Sequence, residues 1–299
     1  MTRINEGLNT WRFKSNHNHM IDLQRAAATP AGGTVELAYF ASSAFRIATP
    51  AGLTVLIDPW RNFPHGKWDW YFADIPRAAV DIAISTHAHF DHDALHLIDA
   101  NVLLDRLIGT YQFADVTITG IADKHAINFS EAVYDAGKLI EAFSDARIAP
   151  PDNHRSWDNC IILVETAGIR ILHWGDNRPN PPAEVWDAIG PVDIALLPVD
   201  DSRHVMGFAA TQSIIDRLQP RIVVPHHYYI WDVVQRQSTL QLCEEWLTTQ
   251  SNVRRLDGPA TTYTRAALDA LTDTPRIDFF GDHVAFDKAA WHAAIKAQS

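Results

Sequence analysis

Two periodicities of apolar residues organise the chain. From Thr34 they fall at every second position, Val35, Leu37 and Tyr39 and then Phe45 and Ile47, as strands with one covered face require. Thr49-Pro-Ala-Gly52 is a turn signal, and the run Leu53 to Ile57 stops at Asp58-Pro59. Three antiparallel strands joined by tight turns are therefore expected to open a sheet. Residues 61–79 form an aromatic, proline-containing loop that includes Trp68, Trp70, Tyr71 and Phe72. Val80 to Ser85 is a short apolar strand that empties into a run of histidines, and a helix is expected from about Asp91 to Asn101. Further strands are expected at Val116 to Ala122, Cys160 to Glu165, Ile169 to Trp174, Val192 to Leu197 and Arg221 to Val224. Helical spacing marks 129–147 and 209–218. Residues 238–299 carry two or three helical patterns and a strand near Arg276 to Phe280. Residues 1–33, polar and irregular, read as an arm. Residues 34–299 read as one domain, on which 253–299 packs as a C-terminal extension.

The chemistry-bearing residues collect at strand ends. His87, Asp176, His227 and His125 each lie just past a predicted strand, and a rigid sheet holds such residues well for function. The first belongs to Thr86-His-Ala-His-Phe-Asp-His92. In extended backbone, residues two apart point to one side, so His87 and His89 can hold one metal ion together. Asp91 and His92 follow where the chain turns and can point towards a second. Imidazole and carboxylate suit zinc, and also manganese or iron.

His-x-His-x-Asp-His after a short apolar strand, with Leu-Ile-Asp-Pro59, Leu-His-Trp-Gly-Asp176 and Val-Val-Pro-His-His227-Tyr following the family's order, resembles the metallo-β-lactamase superfamily. The resemblance spans about residues 34–230. It implies an α/β (α+β) fold, a four-layer αββα sandwich with a one- or two-metal centre along one edge of the sheets. Within the superfamily the chain resembles the broad group that includes the ascorbate-phosphate lactonases. Carried over residue by residue, the resemblance implies that His87 and His89 bind the first ion and that Asp91 and His92 bind the second. Asp176 would bridge the two, and His227 would complete the second site in preference to its neighbour His226. The remaining first-site ligand is His125 or His154. With His125, residues 126–158 would be an insertion near the mouth, from which His154 could still reach the substrate. Asp58 is expected to orient a ligand histidine through its second ring nitrogen. Relatives often carry Gly-His where this chain has Ala41-Ser42-Ser43. Asp200, Asp201, Ser202 and His204 form a polar loop that either binds substrate or is simply solvated. His17, His19, His65, His96, His173, His283 and His292 read as ordinary surface or core residues.

Composition narrows the classes. With 299 residues, 47% of them apolar and 20% charged, the chain can bury a full core. A formal net charge of −11 disfavours nucleic acid as a partner. Cys160 and Cys243, the only cysteines, make neither a disulfide framework nor a zinc ribbon and read as buried apolar side chains. No stretch approaches the ~18 apolar residues of a membrane span, and a cytoplasmic location is expected. The reading is thus a metal-dependent hydrolase with two divalent ions, zinc foremost and manganese or iron the alternatives. It would use a metal-bound hydroxide, with Asp91 and Asp176 as catalytic carboxylates, on a small ester or lactone. The alternatives are a small phosphodiester as substrate, a di-iron redox enzyme, or a non-catalytic metal-binding scaffold. Redox relatives usually carry a glutamate where this chain has His89. The partner is a small-molecule substrate, and the sequence does not fix the oligomeric state.

Overall fold

The computed structural model describes residues 32–64, 66, 69–126, 157–201, 205–236 and 238–298. Most of the N-terminal arm, the helix expected at 129–147, and Trp68, His154 and His204 lie outside the described residues. The alternating segments pair as their pattern requires. Strands β1 (Val35–Tyr39), β2 (Phe45–Ala48) and β3 (Thr54–Ile57) form an antiparallel meander. β4 (Ala79–Ser85) then lies parallel to β3.

A helix over Asp91–Asn101 does not form. A single 3-10 turn, Ala94–Leu97, leads into β5 (Asp99–Asp105), which pairs in parallel with β4. Residues 99, 101, 103 and 105 of β5 are exposed, while Ala100, Val102 and Leu104 are half-buried. This period of two, satisfied by hydrogen bonds to β4, overrides the local helical spacing of Leu95, Leu97 and Ile98.

The second sheet begins as another antiparallel meander, β6 (Gly109–Phe113), β7 (Val116–Asp123), β8 (Asn159–Thr166) and β9 (Ile169–His173). It continues in parallel through β10 (Ile194–Pro198) and β11 (Ile222–His226). β10 and β11 are buried along their whole length, as strands covered on both faces are. β12 (Val253–Arg255) and β14 (Arg276–Phe279) extend this sheet, while β13 (Ala260–Tyr263) joins β1 in the first. The buried Asp278 carboxylate accepts from Arg254, Arg276 and the Tyr263 hydroxyl, and so fastens the ends of the two sheets together.

The sheets face one another: Phe45 of β2 meets the rings of His173 and His226, and the Ser43 carbonyl accepts from His173. Helices lie on the outside. The helix Phe208–Leu218 sends the Thr211 hydroxyl to the Pro198 carbonyl, and Lys288–Gln298 packs Trp291 against Trp60. The architecture is the four-layer αββα sandwich. Because β8 is antiparallel to both β7 and β9, and β9, β10 and β11 are parallel, the carboxyl ends of β7, β9 and β11 point the same way. The segments carrying His125, Asp176 and His227 therefore leave one edge of the sandwich, where the end of β4 meets them. Among the described residues no helix is long and apolar enough to cross a membrane.

Candidate metal centre

Asp58, just past β3, pins the histidine run in place. Its Oδ1 accepts from the Thr86 N–H at 2.7 Å, and its Oδ2 accepts from the Thr86 hydroxyl at 2.8 Å and from Nδ1 of His92 at 2.7 Å. Because the Thr86 hydroxyl hydrogen goes to Asp58, its oxygen accepts from Nδ1 of His87, 3.0 Å away. Nδ1 of His125 donates to the Ala126 carbonyl, and Nδ1 of His227 to Asp200 Oδ2 at 3.0 Å. Each of these four rings is thus held by Nδ1, which fixes its orientation and leaves Nε2 for the centre.

The Nε2 atoms converge on one carboxylate. Asp176 Oδ1 lies 3.4 Å from Nε2 of His92. Its Oδ2 lies 3.5 Å from Nε2 of His125, 3.7 Å from that of His227 and 3.9 Å from that of His87. Asp91 Oδ2 lies 3.2 Å from Nε2 of His227 and 3.5 Å from that of His92. Two donor groups result, His87, His89 and His125 on one side and Asp91, His92, Asp176 and His227 on the other, each with its atoms within 4.8 Å of one another. Only His89 among the seven is exposed. Among the described residues, Nε2 of His87 and of His92, Oδ1 of Asp91 and both oxygens of Asp176 are buried without a hydrogen bond. Buried polar atoms are rarely left so, and cations held in the two donor groups would satisfy them. The donor set fits a divalent metal.

The electrostatics agree with that use. Burial pushes the His87 imidazole well below its ordinary value, with His92 and His125 adding to the effect. Burial also takes His89 down to about 4. Both are therefore neutral, as ligands must be. For Asp91 and Asp176 burial acts upward, but the neighbouring His92 and His227 outweigh it and hold both carboxyls well below the usual range. In the metal-free chain the same carboxylates overcome burial at His227 and raise it to about 10; His92 is raised in the same way.

The local backbone serves this arrangement. Gly175 has φ +57°, and a Cβ there would stand 2.8 Å from Thr86 Oγ1. Only glycine lets the turn before Asp176 approach the threonine that orients His87. His227 itself has φ +60°, and its N–H donates to the Ser42 carbonyl at 2.8 Å. Ala41-Ser42-Ser43 thus supports His227 through backbone. His226 stays outside both donor groups; its Nδ1 meets Ser43 Oγ at 3.1 Å and its ring stacks on His173. Asp200, read from sequence as part of a substrate-binding or solvated loop, is fully buried and holds His227. The positional rule that found the other residues applied to it as well, since it lies two residues past β10, beside β11. Trp70 and Tyr71 are buried: Trp70 packs on Phe90 and meets the His227 ring edge-on, and Tyr71 stacks on Trp60.

A cavity of about 690 Å³ opens onto the three-histidine side, where Arg106, Asp105, Trp157 and Asp158 form its outer wall. That volume suits a small molecule.

Known proteins resemble this chain. A metal-dependent hydrolase of Pyrococcus furiosus is 28% identical over 165 residues, covering 51% of this chain and 68% of its own. One from Lysinibacillus sphaericus is 29% identical over 212 residues, covering 68% of this chain and 88% of its own. Among solved structures, a Thermotoga maritima protein of the metallo-beta-lactamase superfamily superposes with a TM-score of 0.53 at 20% identity, covering 82% of this chain and 97% of its own, which is a likeness of fold. The Beta-lactamase superfamily domain matches residues 36–227, from β1 to the last histidine of the centre. A chain with this match, this sandwich and this cluster at its edge belongs to the metallo-β-lactamase superfamily.

Proposed function

We propose that this protein is a hydrolase that holds two divalent ions, zinc foremost, at the edge of the sandwich and cleaves a small ester or lactone. The observation that carries the reading is the position of Asp176, whose two oxygens face histidines of both donor groups at 3.4 to 3.9 Å. A carboxylate so placed can bridge two ions, with His87, His89 and His125 completing one site and Asp91, His92 and His227 the other. When bound, such a pair supplies a water acidified towards neutral pH and a Lewis acid for the substrate oxygen. The chain's own residues do the rest. Asp91, a member of the second donor group, would also lie within reach of the attacking water as its proton acceptor. Asp58 and Asp200 keep His92 and His227 turned inward. Among the described residues the other six side chains of the centre are buried, and the cavity lies on the exposed His89 side.

The relatives named as metal-dependent hydrolases support the reaction class, and the cavity volume supports a small substrate. Asp176→Ala tests the assignment: the variant is expected to lose one of the two ions and most turnover. Full turnover with unchanged metal content would sink it. A panel of small lactones, esters and phosphodiesters identifies the bond, and turnover of phosphodiesters alone would replace the ester reading.

A further inference from the structure

The wall of the cavity carries an arginine that the metal centre does not use. Arg106 follows β5 with φ +52°, a left-handed conformation that a non-glycine residue rarely adopts. Its N–H donates to the Ser85 carbonyl at 2.9 Å, and the Ser85 hydroxyl donates to the His87 carbonyl at 2.8 Å. The arginine backbone is therefore fastened to the segment that presents His87. Asp105 takes the side edge of the guanidinium, Nε at 3.1 Å and Nη2 at 2.8 Å. That leaves the outer edge, Nη1 and the second hydrogen of Nη2, with no hydrogen bond among the described residues. A guanidinium clamped on one edge is pre-oriented for a bidentate oxyanion on the other. Of the two carboxylates on this wall, Asp105 is spent on the side edge of Arg106, and Asp158 turns its Oδ1 to the His125 N–H at 2.6 Å. Trp157, 37% exposed, adds a flat apolar surface to the same wall.

We propose that Arg106 and Trp157 form a substrate subsite that takes a carboxylate or phosphate group attached to an apolar body, beside His87, His89 and His125. The proposal rests on the reading of the cavity as the substrate site of a hydrolase, and it narrows the substrate to a small organic anion. The anion docks on the outer edge of Arg106, the apolar body lies on the Trp157 indole, and the scissile group reaches the donor cluster.

Calorimetric titration of the full-length protein with benzoate, phenyl phosphate and neutral benzamide tests it, in metal-loaded and in chelator-treated protein. Arg106→Gln is expected to weaken both anions about 10- to 100-fold in both states, the range for losing a charge-assisted pair, while benzamide binding and metal content stay unchanged. Trp157→Leu should weaken all three by a smaller factor. The tighter of the two anions tells carboxylate from phosphate. Absence of saturable anion binding to the wild type, or equal anion affinity in Arg106→Gln, would overturn the subsite. Neither outcome touches the hydrolase reading, which stands or falls on metal content and turnover.

Discussion

Asp58→Asn separates the orientation of the histidines from their identity. Asp58 is buried and accepts three hydrogen bonds of 2.7, 2.8 and 2.7 Å, two from Thr86 and one from His92. Its φ of +53° lies in the left-handed region, which asparagine tolerates as well as aspartate does, so the substitution adds no backbone strain. Asparagine keeps one acceptor oxygen and turns an NH₂ group towards one side of the site. The bonds at Oδ2, from the Thr86 hydroxyl and His92, are then lost or inverted. Hydrogen bonds to a charged group contribute roughly 1.5–3 kcal/mol each. With part of that recovered by rearrangement, the fold should lose about 2–3 kcal/mol. Metal affinity should fall about 10- to 100-fold, the usual cost of removing a partner that orients a ligand. Competition against a chromophoric chelator measures the affinity, and thermal unfolding of the metal-free protein measures the stability. Asp115→Asn is the control. Asp115 is also buried and accepts from the Thr49 hydroxyl and the Ala51 N–H, but it lies before β7, at the end remote from His125. It should lower stability without changing metal affinity. Wild-type affinity for both ions in Asp58→Asn would show that Asp58 does not hold His92 in its ligating orientation.

Other expectations follow from single features. Gly175→Ala would place a Cβ within 2.8 Å of Thr86 Oγ1 at φ +57°, so it should cost about 1–3 kcal/mol in unfolding and also weaken metal binding through His87; an unshifted denaturation midpoint would contradict this. Asp278→Ala removes the buried partner of Arg254, Arg276 and Tyr263 and should destabilise by about 3–5 kcal/mol, with metal affinity per folded molecule unchanged. Because His227 is raised to about 10 in the metal-free chain, its pairing stabilises that chain fully below about 6.5 and is lost as pH rises through about 10. Metal must displace this proton, so uptake at pH 8 should release about one proton from His227 into weakly buffered indicator solution. Affinity that does not rise with pH would count against the assignment.

Buried, alternating strands and their ends were legible in the chain. β1 to β4 and β7 to β11 have continuous or alternating apolar runs, and the residues just past β4, β7, β9 and β11 are the ones that meet. β5 and β6 escaped notice because both are edge strands. The exposed Leu103 and Tyr111 break the alternation that a covered face would impose. β12 and β13 are short and half-buried, and they take their form from β14 and β1 rather than from their own pattern. Asp200 was visible as a carboxylate past a strand, but only the parallel pairing of β10 with β11 brings it to His227. Arg106 carries no sequence signal, since its role depends on a left-handed backbone and on the Asp105 clamp.

Elemental analysis of protein purified without added metal, paired with turnover before and after chelation, decides whether the strand-end cluster is a working metal centre. About two divalent ions per chain are expected, with hydrolysis that chelation abolishes and added metal restores. No metal even after reconstitution, with no turnover, would contradict that expectation and leave the strand-end cluster as a scaffold feature.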